Sequence, residues 1–150
     1  MILEPTYDIA QIERIVNTTW KANRLEHTPE VYTYESNVSY LLVTEDDGTE
    51  LGVFMLELTY PYLLELHLAF LPSAYGYKTR EAGKMLLKYI RENIIVNTIF
   101  AKCVERNRLA RKLILDCGLE EVGKIPKCVR HLDGGFDNVL LFALERTMVR

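Results

Sequence analysis

Between Leu63 and Gly118 a β-prone run, an amphipathic helix, a second β-prone run and a second helix follow one another, and this order constrains the fold more than any other feature of the chain. Leu63 to Leu71 is apolar and β-prone, and it ends at Pro72, which has no N–H to give to a ladder. Thr79 to Asn93 then places Ala82, Met85, Leu86, Tyr89 and Ile90 on one face with charge elsewhere, as an amphipathic helix does. Thr98 to Val104 is strand-like. Asn107 can cap a helix running from Arg108 towards Cys117, which Gly118 ends in a left-handed conformation. A strand, a crossover helix and a strand predict parallel pairing through a right-handed connection.

The flanking segments add strands on both sides. Ile9, Ile12, Ile15, Val16 and Trp20 recur at helical spacing from Asp8 to Trp20, so a helix with one buried face is expected, and Trp20 is read as core in preference to a substrate platform. Ser39 to Thr44 and Leu51 to Leu58 are apolar runs around the turn residues Asp46, Asp47 and Gly48, which predicts a hairpin. Glu121 to Arg130 and Asn138 to Leu144 are read as two more strands, joined around Asp133, Gly134 and Gly135. Lys21 to Asn37 has no firm period. It is left without an element and is placed to shape a substrate site. With 49% hydrophobic content over 150 residues and no linker or repeat, one domain is expected.

Charge and cysteine usage exclude several classes. A net charge of −3 and a pI near 5.7 give no general basic field, so no nucleic-acid partner is expected. The chain has no run of about 18 apolar residues and no apolar leader near Met1, so neither a membrane partner nor secretion is expected. Cys103, Cys117 and Cys128 are odd in number and lack zinc-type spacing, which fits reduced thiols in the cytoplasm and no metal site.

Three stretches carry a family resemblance. The first runs from Glu65, Leu66 and His67 through Tyr75, Gly76, Tyr77, Lys78 and Thr79 to Ala82. The second is Asn107-Arg108-Leu109-Ala110 with Leu113 and Cys117-Gly118-Leu119. The third is Glu121-Val122-Gly123 with Asp133-Gly134 and a final apolar strand. Together they resemble the GCN5-related N-acetyltransferase (GNAT) family over nearly the whole chain, most specifically from Leu63 to Arg146. The spacing is similar to the branch that acetylates protein amino termini, ribosomal proteins among them, and small amines.

The resemblance implies an α/β (α+β) fold: a mixed, mainly antiparallel sheet of six or seven strands, helices on both faces, and a splayed parallel pair holding coenzyme A. It places the pyrophosphate at the backbone of Tyr75, Gly76, Tyr77, Lys78 and Thr79, where helix-start N–H groups favour an anion, with Asn107 and Arg111 as further contacts. Family members carry Gln or Arg, two residues, Gly, one residue, then Gly or Ala; here those positions are Ser73, Gly76 and Lys78, so only the first glycine is kept. Lys78 either adds a cation for phosphate or crowds the approach that glycine permits. Where many members have a proton-donating tyrosine, this chain has Ile114.

Glu65 and His67 lie two apart on the expected central strand and emerge on the same sheet face. Direct acetyl transfer needs an unprotonated amine, so a positioned base helps; Glu65 is the first candidate and His67 the alternative. Two functions stay open. One is an acetyl-coenzyme-A-dependent N-acetyltransferase acting on a primary amine. The other is a binding or assembly module without catalysis, resembling GNAT-like proteins of bacteriophage heads or tails, with a protein partner or a second copy of itself and a location in host cytoplasm or virion.

Overall fold

The computed structural model describes residues 1–20 and 24–145, so residues 21–23 of the unassigned stretch and Arg146 lie outside the described residues. Strand β1 (Ile2–Pro5) leads to helix α1 (Ile9–Trp20), whose first turn is held by Asp8 Oδ1 accepting from the Gln11 N–H at 3.1 Å. The expected hairpin forms as β2 (Ser39–Thr44) and β3 (Glu50–Tyr60). Strand β4 (Leu63–Phe70) is followed by a 3-10 turn at Pro72–Ala74 and helix α2 (Tyr77–Asn93). Strand β5 (Thr98–Val104), helix α3 (Arg108–Asp116), β6 (Glu120–Arg130) and β7 (Phe136–Glu145) complete the described chain.

The seven strands form one sheet in the order β1-β2-β3-β4-β5-β7-β6. Every neighbouring pair is antiparallel except β4 and β5, which are parallel as the crossover rule requires. The apolar runs in β2 and β3 are continuous because both faces of the sheet are covered. Leu41 and Val43 pack into a core shared with Ala82, Leu86 and Ile90 of α2 and Leu113 and Ile114 of α3. Tyr40 and Leu42 point the other way, against Ile12, Ile15 and Val16 of α1. Helices thus lie on both faces of the sheet.

Among the differences from the sequence reading are a strand at the amino terminus and an earlier start of α2. β1 was not expected there; it forms because the edge of β2 offers Leu41 to Thr44 as partners, and Pro5 is tolerated at the end of an edge strand. Helix α2 begins at Tyr77 instead of Thr79, directly after Gly76, whose φ of +100° turns the chain out of the preceding extended backbone.

Parallel pairing of β4 with β5 covers only Leu63 to Glu65 against Thr98 to Phe100. From Leu66 onward β4 pairs with β3 alone, and β5 continues with β7. The two strands part at Glu65. Gly83 fixes α3 against α2 beside this opening: a Cβ there would lie 2.7 Å from Cys117 Cα and 3.1 Å from the Asp116 carbonyl oxygen.

Candidate active site

The parting strands open a cleft of about 780 Å³ that runs from one face of the sheet to the other. On the α1 side its wall includes Trp20, Tyr32, Glu35 and Met55, and on the α2/α3 side Leu66, Phe70, Tyr75, Asn107, Ala110 and Ile114. The unassigned stretch does shape this space, through Thr28, Tyr32 and Glu35. Trp20 serves two ends: it packs on the α1 core, with its ring 4.9 Å from that of Tyr32, and it lines the cleft. Tyr32 is buried and shares a hydrogen bond with the Tyr40 hydroxyl; burial first, and that bond second, raise its pKa far above the usual phenol value.

Glu65 stands where the strands part. Because Leu64 and Leu66 face the α2 core, strand alternation turns Glu65 and His67 to the α1 side, as expected. Glu57 on β3 is the direct cross-strand partner of Glu65, so two carboxylates sit opposite each other on one face, an arrangement that is destabilising without a cation nearby. The Lys102 ammonium on β5 lies 3.5 Å from Glu65 Oε2, and His67 Nε2 lies 3.6 Å from the same oxygen. His67 Nε2 also lies 4.0 Å from Glu57 Oε2, and the Asn37 side-chain amide donates to Glu57 Oε1 at 3.1 Å. Glu65 is only 6% exposed, and its Oε2 is buried with no hydrogen-bond partner. The Lys102 ammonium contributes Coulomb attraction at the limit of hydrogen-bond reach without a directed bond. A buried acceptor left in that state costs about 1–3 kcal/mol. The fold therefore holds an underused carboxylate oxygen at the cleft floor.

The expected cofactor residues divide. Tyr75 and Asn107 line the cleft, and Asn107 also caps α3 by accepting from the Ala110 N–H at 3.0 Å. Gly76 is the N-cap of α2 and gives no side-chain cap, so the first N–H groups of a 17-residue helix have no intrahelical acceptor and no acidic residue in the first turn. Tyr77, Lys78 and Thr79 form that turn and do not line the cleft. Lys78 Nζ is held 2.9 Å from Glu45 Oε1 and donates to the Ser73 carbonyl at 3.4 Å; the Glu45 bond raises its pKa. Its side chain neither crowds the loop nor points a free cation into it.

Thr79, expected to meet the pyrophosphate through its backbone, also carries a structural tie through its side chain. Its side chain is fully buried, and its hydroxyl lies 2.9 Å from the Gly76 carbonyl oxygen and 2.8 Å from Asp116 Oδ2, tying the start of α2 to the end of α3. Only its backbone remains for a phosphate. Arg111 pairs with Glu121 at 3.4 Å and does not line the cleft. Ile114 lines the cleft where a phenol was sought, and Tyr75 and Tyr32 are the phenols among its described lining residues. Burial pushes the Cys103 thiol up to about 11 and the Cys117 thiol up to about 12, far from a thiolate at neutral pH.

Glu57 and Lys102 were absent from the sequence reading. Glu57 reaches the site through cross-strand register and Lys102 from β5 beyond its last pairing with β4 at Phe100, and neither relation has a local spacing signal.

Solved structures share this architecture. A spermidine N-acetyltransferase from Vibrio cholerae, in complex with CoA and spermine, superposes with a TM-score of 0.80 at 14% identity, covering 99% of this chain and 96% of that one. The protein smu.2055 from Streptococcus mutans gives 0.78 at 18% identity, with 97% and 99% covered. A GNAT-family acetyltransferase from Bacillus anthracis gives 0.72 at 14% identity, with 97% and 94% covered. At these identities the likeness establishes the GNAT fold. No curated protein sequence matches the chain. The family model described as "Protein of unknown function (DUF2824)" matches residues 4–149, nearly the whole length, and the chain belongs to that family.

Proposed function

We propose that the chain is a coenzyme-A-dependent N-acetyltransferase acting on a cationic primary amine. The observation that carries this reading is the continuous cleft through the β4/β5 opening, with a buried, hydrogen-bond-free carboxylate oxygen of Glu65 at its floor. The residues present fit coenzyme A. Beyond Glu65 one edge of β4 has no strand partner, the wall there is apolar, and the uncapped start of α2 offers N–H groups to an anion. Acetyl-coenzyme A supplies, when bound, an activated acetyl group. Tyr75, Leu66, Phe70 and Ala110 would shape the donor half of the cleft, and Trp20, Glu35 and Glu57 the acceptor half.

An amine arrives protonated, and Glu57 and Glu65 attract its charge. Glu65 Oε2 then accepts the proton that the nitrogen must lose before it attacks, and positioning in the cleft contributes further. His67 is the alternative base. A polyamine, as bound by the Vibrio cholerae neighbour, fits an acceptor half bearing Glu35, Glu57 and Glu65 better than a protein amino terminus does, because each additional ammonium gains a carboxylate.

Binding and chemistry are tested separately. Coenzyme A at 100 times its dissociation constant stabilises the fold by about 2.7 kcal/mol, which a thermal melt resolves easily. Glu65→Gln is expected to keep that stabilisation while lowering turnover about 10²–10⁴-fold near neutral pH, with the loss shrinking at high pH as free amine accumulates. Equal turnover in Glu65→Gln and a loss in His67→Gln would move the base to His67. A non-catalytic assembly module is the second reading, favoured by β6, an outermost strand that exposes Val122 and Ile125. The absence of any thermal shift with coenzyme A would select it.

A further inference from the structure

Glu57, Glu65 and His67 are the group, among the described residues, in which three metal-ligating side chains converge: one ligand atom from each lies within 4.8 Å of the other two. We infer that they form a binding site for a divalent transition-metal ion in the acceptor half of the cleft. The inference goes beyond acetyl transfer and does not depend on it, since occupancy is read without turnover.

Geometry is the first support. A tetrahedral zinc ion with bonds of about 2.0–2.1 Å holds its ligand atoms about 3.4 Å apart. His67 Nε2 is already 3.6 Å from Glu65 Oε2 and 4.0 Å from Glu57 Oε2. Glu65 is the fixed member because it is buried, whereas the side chains of Glu57 and His67 are 31% and 40% exposed and have room to close the remaining distance. Their strands are held by direct pairing of Glu57 with Glu65 and of Met55 with His67, so the backbone need not move.

The second support is independent of the clustering. Glu65 Oε2 is buried, lines the cleft and has no hydrogen bond, so it keeps acceptor capacity that the protein's own donors leave unused. Two opposed carboxylates also call for a positive charge between them. One imidazole nitrogen with two carboxylates suits zinc, cobalt or nickel better than calcium or magnesium, which prefer oxygen alone. Three protein ligands leave at least one position to the cleft, as in an open zinc site.

Lys102 competes for the same oxygen. Its ammonium lies 3.5 Å from Glu65 Oε2, and its side chain is 53% exposed, free to swing into solvent when a metal enters. Metal binding to Glu65 also removes the lone pair that a proton would use. A bound ion and a Glu65 base therefore exclude each other.

The test is a Co²⁺ titration of the full chain in a Cys128→Ser background, because Cys128 is exposed and would otherwise bind metal itself. Visible absorption reports ligand geometry, and Zn²⁺ should displace the cobalt. The expected result is one Co²⁺ per chain, with affinity lowered about 10-fold or more in Glu65→Gln and in His67→Gln, at unchanged far-ultraviolet dichroism. Lys102→Met, a half-exposed position, is expected to raise affinity, an effect that no loss of folding can mimic. Failure to saturate at high micromolar Co²⁺ overturns the inference. So does binding that persists unchanged in Glu65→Gln and His67→Gln, which marks adventitious metal only, or an affinity in Lys102→Met equal to or below that of the parent.

Discussion

Gly83→Ala sets a local preference against a tertiary contact. Alanine is favoured over glycine in a helix interior by about 0.8–1.0 kcal/mol, so propensity alone predicts stabilisation. The new methyl, however, would sit 2.7 Å from Cys117 Cα, 3.1 Å from the Asp116 carbonyl oxygen and 3.2 Å from Cys117 Sγ. Two of these three atoms are backbone, so no side-chain rotation relieves the contact, and α3 must move. Overpacking of this kind costs about 1–3 kcal/mol, and the closeness of the contact places it in the upper part of that range. The net expectation is a loss of about 1–2 kcal/mol, or a Tm lower by about 2–8 °C at this chain length. Differential scanning calorimetry measures it, with Lys84→Ala on the exposed face as a comparator expected to change little. A shift of α3 also disturbs the cleft wall at Ala110 and Ile114, so coenzyme A binding should weaken in parallel. A Gly83→Ala protein that melts at or above the parent refutes the packing argument.

Two further perturbations have definite signs. Hydrogen bonds from Arg14, with help from Gln11, hold the Glu50 carboxyl below its usual 4.5 and join α1 to β3. A carboxyl with a depressed folded pKa contributes stability above its unfolded pKa and loses it as pH falls through the folded one, so urea midpoints should drop below about pH 4.5, less steeply in Glu50→Gln. Asn107→Ala removes the cap on the Ala110 N–H and should cost about 1 kcal/mol, seen as a Tm lower by about 2–4 °C; an unchanged Tm would show the cap to be energetically idle.

The parts of the fold that were legible are those specified within a few residues of sequence. β2 and β5 begin and end at the positions read from their apolar runs, and Asn107 and Gly118 bound α3 as their local chemistry demands. β1 was missed because four residues ending in proline form a strand only where another strand offers an edge. The β6–β7 pairing was legible, but its irregularity between Ile125 and Val129 was not. There Lys127 adopts a φ of 44°, and its N–H bonds the Asn138 side chain, a partner 11 residues away. In the site, Glu65 and His67 were legible as a pair because alternation needs only the strand. Glu57 joins them through cross-strand register, and Lys102 from beyond the last β4/β5 pair. The Thr79 hydroxyl contact was not legible for a related reason: its partner Asp116 is 37 residues away, and nothing near Thr79 announces it.

The two halves of the cleft rest on different physics, and this decides how their variants can be interpreted. The acceptor half stands on β3 and β4, whose alternate residues Phe54, Leu56, Leu64 and Leu66 are buried in the main core. Those apolar contacts hold the strands whatever occupies positions 57, 65 and 67, and Glu65 gives up no hydrogen bond through Oε2 when it becomes glutamine. Polar substitutions there should therefore report on proton transfer or metal ligation rather than on folding. The donor half depends on polar ties: the Thr79 hydroxyl on Asp116, the Lys112 ammonium 3.1 Å from the same carboxylate, and the Asn107 cap. Asp116 is nearly buried, so removing Thr79's hydroxyl strips one donor from a desolvated carboxylate and loosens the start of α2 itself. A weakened coenzyme A response in a Thr79 variant would thus follow from a displaced helix as readily as from a lost ligand. Only variants whose Tm stays at the parent value can assign a phosphate contact to that turn.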